Sequence, residues 1–360
     1  MTFDDFMRLP PYSLAQREKE RLLLPALIDV TAHHCTRCPP FARVVAASAP
    51  AYAEARHLID LPFLPVSLFK THGLQSVGST DVISLLTSSG TSTGETSRIA
   101  VDAVTADRQA SALTSLVGHV LGSRRLPMLV VDSKAVITSP ALMSARGAGV
   151  LGMMRFGRQP FFALDEDMKP DVRGVRAFLD RFGQAPFFLF GFTFVVWRFF
   201  QQVLDQGLDL SNGILLHGGG WKRLQQEAVD NATFKRVLRE KSGLCRVHNF
   251  YGMVEQLGGI FLEGDDGLLH PPLFGDIIIR DVDTLQEAPL GQPGLIQVLS
   301  IVPLSYPGHS LLTEDIGMLH HVDGASSGWR GKAFSVLGRA PQVTLRGCSD
   351  AVDFGALGDG

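Results

Sequence analysis

The chain has 360 residues, 45% hydrophobic and 19% charged, with a formal net charge of −3 at pH 7. That length supplies about two or three domains' worth of chain around a large core. The 33 Lys and Arg are dispersed among 36 Asp and Glu, which leaves no basic stripe for nucleic acid. Four cysteines, at 35, 38, 245 and 348, are too few for a disulfide framework and read as the reduced thiols of a cytoplasmic protein.

The opening MTFDDFMRLP is acidic and lacks a basic start before an apolar stretch, so it does not read as a secretory signal. SLAQREKERLLLPALIDVTAHH, residues 13–34, spaces its apolar residues at helical intervals, and Pro39 and Pro40 are expected to stop that helix. HHCTRC offers His33, His34, Cys35 and Cys38 as zinc ligands. No second Cys/His pair completes a zinc spacing, and adjacent histidines on a helix point in different directions, so the segment reads as a helix end. Residues 1–80 are expected to form a helical part of the core.

From there strands and helices alternate. Strands are expected over 82–87, 127–132, 186–190, 213–218, 245–252, 258–263, 275–281, 294–302 and 334–338, with helical patterns in VTADRQASALTSLVGHVLG and TFKRVLREKSG. The alternation predicts a layered α/β fold, and the close strand spacing after 245 predicts a smaller antiparallel section. FFLFGFTFVVW, 187–197, is ended by Arg198, short of the roughly 18 residues a membrane helix needs. It reads as buried core, with an apolar tunnel lined by 187–200 as the alternative; Cys245 also reads as core.

Several short segments carry chemistry. In LLTSSGTSTGETSRIAVD, every residue from Thr87 to Thr96 except Glu95 is Ser, Thr or Gly. Such a loop after a strand offers backbone N–H groups and hydroxyls to phosphate oxygens. It is not the common nucleotide loop, because Gly90 and Gly94 lie close together and no Gly-Lys-Ser/Thr follows. HGGGWK, 217–222, lets a flat ring approach bare backbone. NFYGMVEQ, 249–256, sets an aromatic and a glycine before Glu255, a carboxylate suited to Mg2+. LLTEDIG, 311–317, presents Asp315 as an acceptor for vicinal hydroxyls, and VLGRAPQ, 336–342, supplies a Gly-Arg pair after a strand.

That order resembles the adenylate-forming superfamily of acyl-CoA synthetases, peptide-synthetase adenylation domains and luciferase. LPFLPVSLFKTHGL, SSGTSTGETSRIAVD, ILLHGGGWK, FYGMVEQ and GRAPQVTLRGCSD together resemble, from about residue 55 to 350, the acyl-protein synthetase subunit of the fatty acid reductase of bacterial luminescence. The resemblance implies an adenylate-forming core over 81–338, with mixed sheets flanked by helices, and a short segment 339–360. It implies that a fatty or related carboxylate is activated by ATP and Mg2+ as acyl-AMP, then taken by a thiol for delivery to an acyl reductase. Ser88, Ser89, Gly90, Thr91, Thr93 and Gly94 would hold the phosphates, and Gly218, Gly219 and Gly220 would line the adenine site with Tyr251 and Gly252 beside it. Glu255 would bind Mg2+, Asp315 the ribose, and Arg339 would belong to the nucleotide site. Cys348 falls where the family carries its acyl group; a few per cent of a cysteine is thiolate at neutral pH, Arg346 could raise that fraction and Asp350 oppose it.

The departures are specific. GETSR has no lysine, and Arg98 is the nearest cation; Val254 replaces the usual threonine; only 21 residues follow Arg339, where larger relatives carry a lid domain of about one hundred residues with a catalytic lysine. Lys222 or Arg98 could substitute for that lysine, or a partner protein could. Two other functions stay open: a ligase that passes the acyl group to CoA or a carrier thiol, and a non-catalytic scaffold of the same fold.

Overall fold

Gln16, Lys19, Leu23, Leu27, Val30 and His34 recur every three or four residues, which buries one face of the helix Gln16–Arg37. The structure, a computed structural model, describes residues 1–87, 96–138, 145–203, 206–221 and 227–340. The expected first helix therefore exists and runs on through HHCTR, ending where the Cys38 N–H donates to the His34 carbonyl. Pro39 and Pro40 also begin a second helix, Pro39–Ser48, because proline in a first turn gives up no intrahelical hydrogen bond. Among the described residues no helix is long and apolar enough to cross a membrane.

Two compact units divide the chain: Met1–Leu116, Met253–Phe261 and Leu268 onward form one, and Val117–Gly252 with Leu262–Gly267 the other. In the first, the strands Gly275–Arg280, Pro293–Ser300, Ser310–Val322 and Lys332–Arg339 pair antiparallel in that order, and Leu269–His270 follows the last. Leu64–Pro65 joins in parallel, at Leu64↔Leu311 and Pro65↔Leu312. A separate ribbon pairs Val82–Thr87 with Arg98–Asp102. The buried face of Gln16–Arg37 is polar at both ends. Gln16 Nε2 donates to Asp276 Oδ2 at 2.8 Å, and Lys19 and Lys332 each stand 3.5 Å from the same carboxylate. Thr31 Oγ1 meets His309 Nε2 at 3.0 Å, and His34 Nδ1 meets Ser76 Oγ at 2.8 Å.

In the second unit, Gly157–Leu164, Leu126–Ser133, Phe187–Phe192, Gly213–Gly218 and Arg246–Tyr251 are parallel neighbours in that order. Parallel strands are covered on both faces and so read as unbroken apolar runs; FFLF and ILL are buried throughout. Val175 and Phe178 of Val172–Phe182, Val195, Val196, Trp197, Phe199 and Phe200 of Thr193–Val203, and Phe234 and Leu238 of Asn231–Ser242 fill the core against them. The Phe-rich run is thus half strand and half helix, within that core. The α/β class, the mixed sheets and the C-terminal antiparallel section are as expected. Cys245 is a correction: it is exposed, because it precedes the strand and follows the left-handed Gly243, to whose carbonyl its Sγ donates at 3.3 Å.

Candidate active site

The first unit carries the carboxylates. Asp315 and Arg339 are direct cross-strand partners, so strand pairing alone sets them side by side. Arg339 NH1 donates to Glu314 Oε2 at 2.5 Å, and its Nε stands 3.5 Å from Asp315 Oδ1. The Asp315 N–H donates to Thr313 Oγ1 at 3.1 Å, within the strand Ser310–Val322. Lys70 reaches Glu314 Oε1 at 3.4 Å from the short helix Leu68–Thr71.

Glu255 lies in the 3-10 turn Val254–Gln256, and the residue is 7% exposed. Two contacts fix that turn: the Leu257 N–H donates to the Tyr306 hydroxyl at 3.0 Å, and Gln256 Nε2 donates to the Gly308 carbonyl at 3.2 Å. Burial leaves Tyr306 harder to ionise than an ordinary tyrosine, with the Leu257 N–H opposing that shift and Glu255 adding to it. A side chain at Gly308 would collide with the Tyr306 ring and come within 2.6 Å of the Glu255 carbonyl. Among the described residues the Glu255 carboxylate accepts no hydrogen bond, and none of them joins it in a three-residue ligand cluster. A hard cation that keeps its waters and takes one carboxylate plus phosphates suits such a donor. Arg98 starts the strand Arg98–Asp102, exposed and opposite Thr87, and so stands at the root of the hydroxyl-rich loop.

The second unit carries the glycines. Gly213–Gly218 and Arg246–Tyr251 are adjacent parallel strands with Gly218 opposite Phe250. Their carboxyl ends bring Gly218, Gly219 and Gly220 beside Tyr251 and Gly252, the place where open α/β sheets bind ligands. Each glycine has its own reason. A side chain at Gly218 would lie 2.6 Å from the Phe250 ring, Gly219 has φ +79°, and Gly220 faces open space within 4 Å. Beneath them His217 is buried, its Nδ1 3.0 Å from Thr193 Oγ1 and its ring stacked on Phe234. Burial, with Lys235 and His248 adding to it, pushes its pKa down to about 3. Glu263 is 1% exposed; it accepts from Lys235 at 2.9 Å, from the Asn249 N–H at 2.8 Å and from Asn231 Nδ2, which holds the strand that ends in Tyr251.

Ser88, Ser89, Gly90, Thr91, Thr93, Gly94, Lys222 and Cys348 lie outside the described residues. His33 and His34 spend their Nε2 atoms on the carbonyls of Leu304 and Pro303, and among the described residues no cluster of three His, Cys, Asp or Glu could hold a metal. Sequence reading missed Lys70, Glu314, Tyr306, Gly308 and Glu263. Lys70 and Glu314 stood inside quoted segments, Glu314 next to Asp315, but only the parallel pairing of Leu64–Pro65 brings them together.

Known proteins fit this architecture. A long-chain-fatty-acid–luciferin-component ligase of Aliivibrio fischeri is 25% identical over 282 residues, covering 74% of this chain and 71% of its own length. One of Vibrio harveyi with the same name is 26% identical over 322 residues, covering 84% and 80%. The fold is that of a 2-hydroxyisobutyryl-CoA ligase solved in an open conformation with 2-HIB-AMP and CoA, with a TM-score of 0.68 at 15% identity, over 91% of this chain and 76% of that one. ATP-bound MatB from Rhodopseudomonas palustris gives a TM-score of 0.50 at 18% identity, over 73% and 49%. Matched over residues 2–355, the chain belongs to the acyl-protein synthetase family, LuxE, and has the fold of adenylate-forming ligases.

Proposed function

We propose that the protein is an ATP-dependent acid–thiol ligase that activates a long-chain fatty or related acid and loads it onto its own Cys348 for delivery to an acyl reductase. The family match across residues 2–355 carries this reading, together with the fatty-acid ligase names of its relatives. In the first step a carboxylate oxygen bonds to the α-phosphorus of ATP while the bond to the β-phosphate oxygen breaks, giving acyl-AMP and pyrophosphate. In the second the Cys348 thiolate bonds to the acyl carbon and AMP leaves.

The residues' parts follow from their surroundings. Asp315, oriented by Thr313 and Arg339, accepts from the ribose hydroxyls. Gly218 to Gly220, with Tyr251 and Gly252, present backbone and an aromatic face to the adenine. Ser88, Ser89, Gly90, Thr91, Thr93 and Gly94 donate to the phosphates, with Arg98 at the root of their loop and Lys222 as a further cation. Glu255 would hold Mg2+, which supplies charge neutralisation at the phosphates when bound. Such a site works by positioning and charge stabilisation rather than by a general base.

The test incubates the protein with ATP, Mg2+ and labelled carboxylic acids without CoA, comparing wild type with Cys348→Ser by denaturing gel and intact mass. A hydroxylamine-labile label that needs Cys348 is the expected result. Acyl-AMP without a label would transfer the acceptor role to CoA or a carrier thiol, and neither product with no ATP binding would leave a scaffold.

A further inference from the structure

Lys70 is anchored to the strand that carries Asp315. Leu64–Pro65 pairs with Leu311 and Leu312, the Val66 N–H donates to the Leu312 carbonyl at 2.9 Å, and Phe69, 1% exposed, packs edge-on against Tyr306. These contacts leave the short helix Leu68–Thr71 little freedom, so the Lys70 stem starts from a fixed point. Its side chain is 19% exposed, against 55% for Arg339, the other cation of the cluster. Arg339 is well supplied: it contacts both Glu314 and Asp315. Lys70 is not. An ammonium carries three donors, and among the described residues this one makes a single long contact, 3.4 Å to a Glu314 carboxylate that also accepts the shorter bond from Arg339.

A largely desolvated cation with unused donors gains strongly from an anion. We infer that Lys70 is a phosphate-binding residue: its ammonium donates to the 5′-phosphate of a nucleotide whose ribose is held at Asp315, with Glu314 keeping the ammonium in place when no nucleotide is bound. The inference rests on the reading of Asp315 as the ribose carboxylate. It places a lysine at the phosphate, where GETSR has none. Lys70 would thus touch both ATP and acyl-AMP, and stabilise the charge on the α-phosphate while the acyl group is transferred.

Adenosine and AMP share base and ribose and differ in the phosphate, so titration calorimetry of the full chain with each separates this role from a structural one. For Lys70→Met, AMP binding should weaken roughly ten- to hundredfold, the worth of a charge-assisted hydrogen bond, with adenosine binding unchanged; Lys70→Arg should recover part of the loss. Equal weakening of both ligands, or no change in either, overturns the inference. A folded Lys70→Met chain, judged by circular dichroism, is the condition for reading the result; if it does not fold, Lys70→Arg and Lys70→Gln are titrated in its place. Wild-type protein that binds neither ligand would instead bring down the nucleotide reading of Asp315 itself.

Discussion

The second unit fills its parallel sheet with Phe187 to Phe190 and Ile214 to Leu216, whereas the first unit closes its antiparallel sheet with buried charge: Lys19 and Asp276 are at most 1% exposed. Both arrangements remove a sheet face from water, but they fail differently. Burial of apolar side chains is non-directional and degrades in steps of volume. A buried ion cluster holds only while every partner is present, because a lone charge in the interior has nothing to replace water. Burial alone would raise the Asp276 carboxyl, and Lys19 and Lys332 more than reverse that, holding it below the usual range. The first unit is thereby fixed in register by Gln16, Lys19 and Lys332, three residues contributed from opposite ends of the chain.

The largest expected effect breaks that cluster. Asp276→Asn removes the carboxylate that two buried lysines share, leaving Lys332 only Glu287 at 4.0 Å, and should cost about 3–5 kcal/mol in urea unfolding. Replacing the whole set, Lys19→Met, Asp276→Leu and Lys332→Met, should cost little or stabilise; a triple variant as unstable as Asp276→Asn would show that the unit depends on the ions themselves. The cluster also has an alkaline signature. Burial pushes the Lys19 pKa down to about 8 from 10.5, Asp276 notwithstanding. Between those values the unfolded chain holds the proton that the folded chain has lost, so this group makes stability rise with pH there. Lys19→Met should abolish that rise.

Acid treats the two units alike, which sharpens the contrast. His309 in the first and His217 in the second are each pushed down to about 3, chiefly by burial. The unfolded chain protonates near 6.5 and the folded chain does not, so the stability they contribute is complete above 6.5 and is lost as pH falls toward 3. From pH 7.5 to 5.5 the two together should remove about 3 kcal/mol. His217→Gln and His309→Gln should each remove about half of that contribution, while His34 and His248, also pushed down chiefly by burial, keep the rest of the slope; a slope unmoved by both would place the acid sensitivity elsewhere.

The same contrast decides what could be read in advance. Gly213–Gly218 has the bounds its sequence predicts, because a doubly covered parallel strand is a plain apolar run between turn residues. Ser310–Val322, at 13 residues the longest strand among the described residues, was legible only as the motif LLTEDIG. Glu314, Asp315, His320 and His321 are partly exposed along it, so no continuous period survives. Gly157–Leu164 hides behind Pro160 and two polar residues, and Arg98–Asp102 reads as an amphipathic restart. Lys19 and Gln16 fall on the helix's apolar stripe, where their periodicity predicts burial but their partner, 260 positions away for Gln16, is invisible. Of the candidate site, Asp315, Arg339 and the glycines were readable from motif order; Lys70 and the Tyr306–Gly308 support were not, because only folding brings them to the motifs.

Smaller effects test the site in each unit. In the first, Gly308→Ala drives a methyl against the Tyr306 ring and the Glu255 backbone and should cost about 1–3 kcal/mol by overpacking, with Mg2+-dependent ATP binding weakened as Glu255 shifts. In the second, three consecutive glycines give a graded series. Gly218→Ala must move the Phe250 ring and should also fall at about 1–3 kcal/mol. Gly219→Ala meets a left-handed backbone, φ +79°, at about 1–2 kcal/mol. Gly220→Ala meets nothing within 4 Å and has no such φ, so its stability should stay within about 0.5 kcal/mol of wild type. If an adenine ring lies on this backbone, Gly220→Ala should nonetheless weaken adenosine binding, since the added methyl occupies space that only a ligand uses. Stability and adenosine affinity both unchanged would mean that Gly220 serves neither the fold nor the nucleotide, and would confine the ring to Gly218 and Gly219.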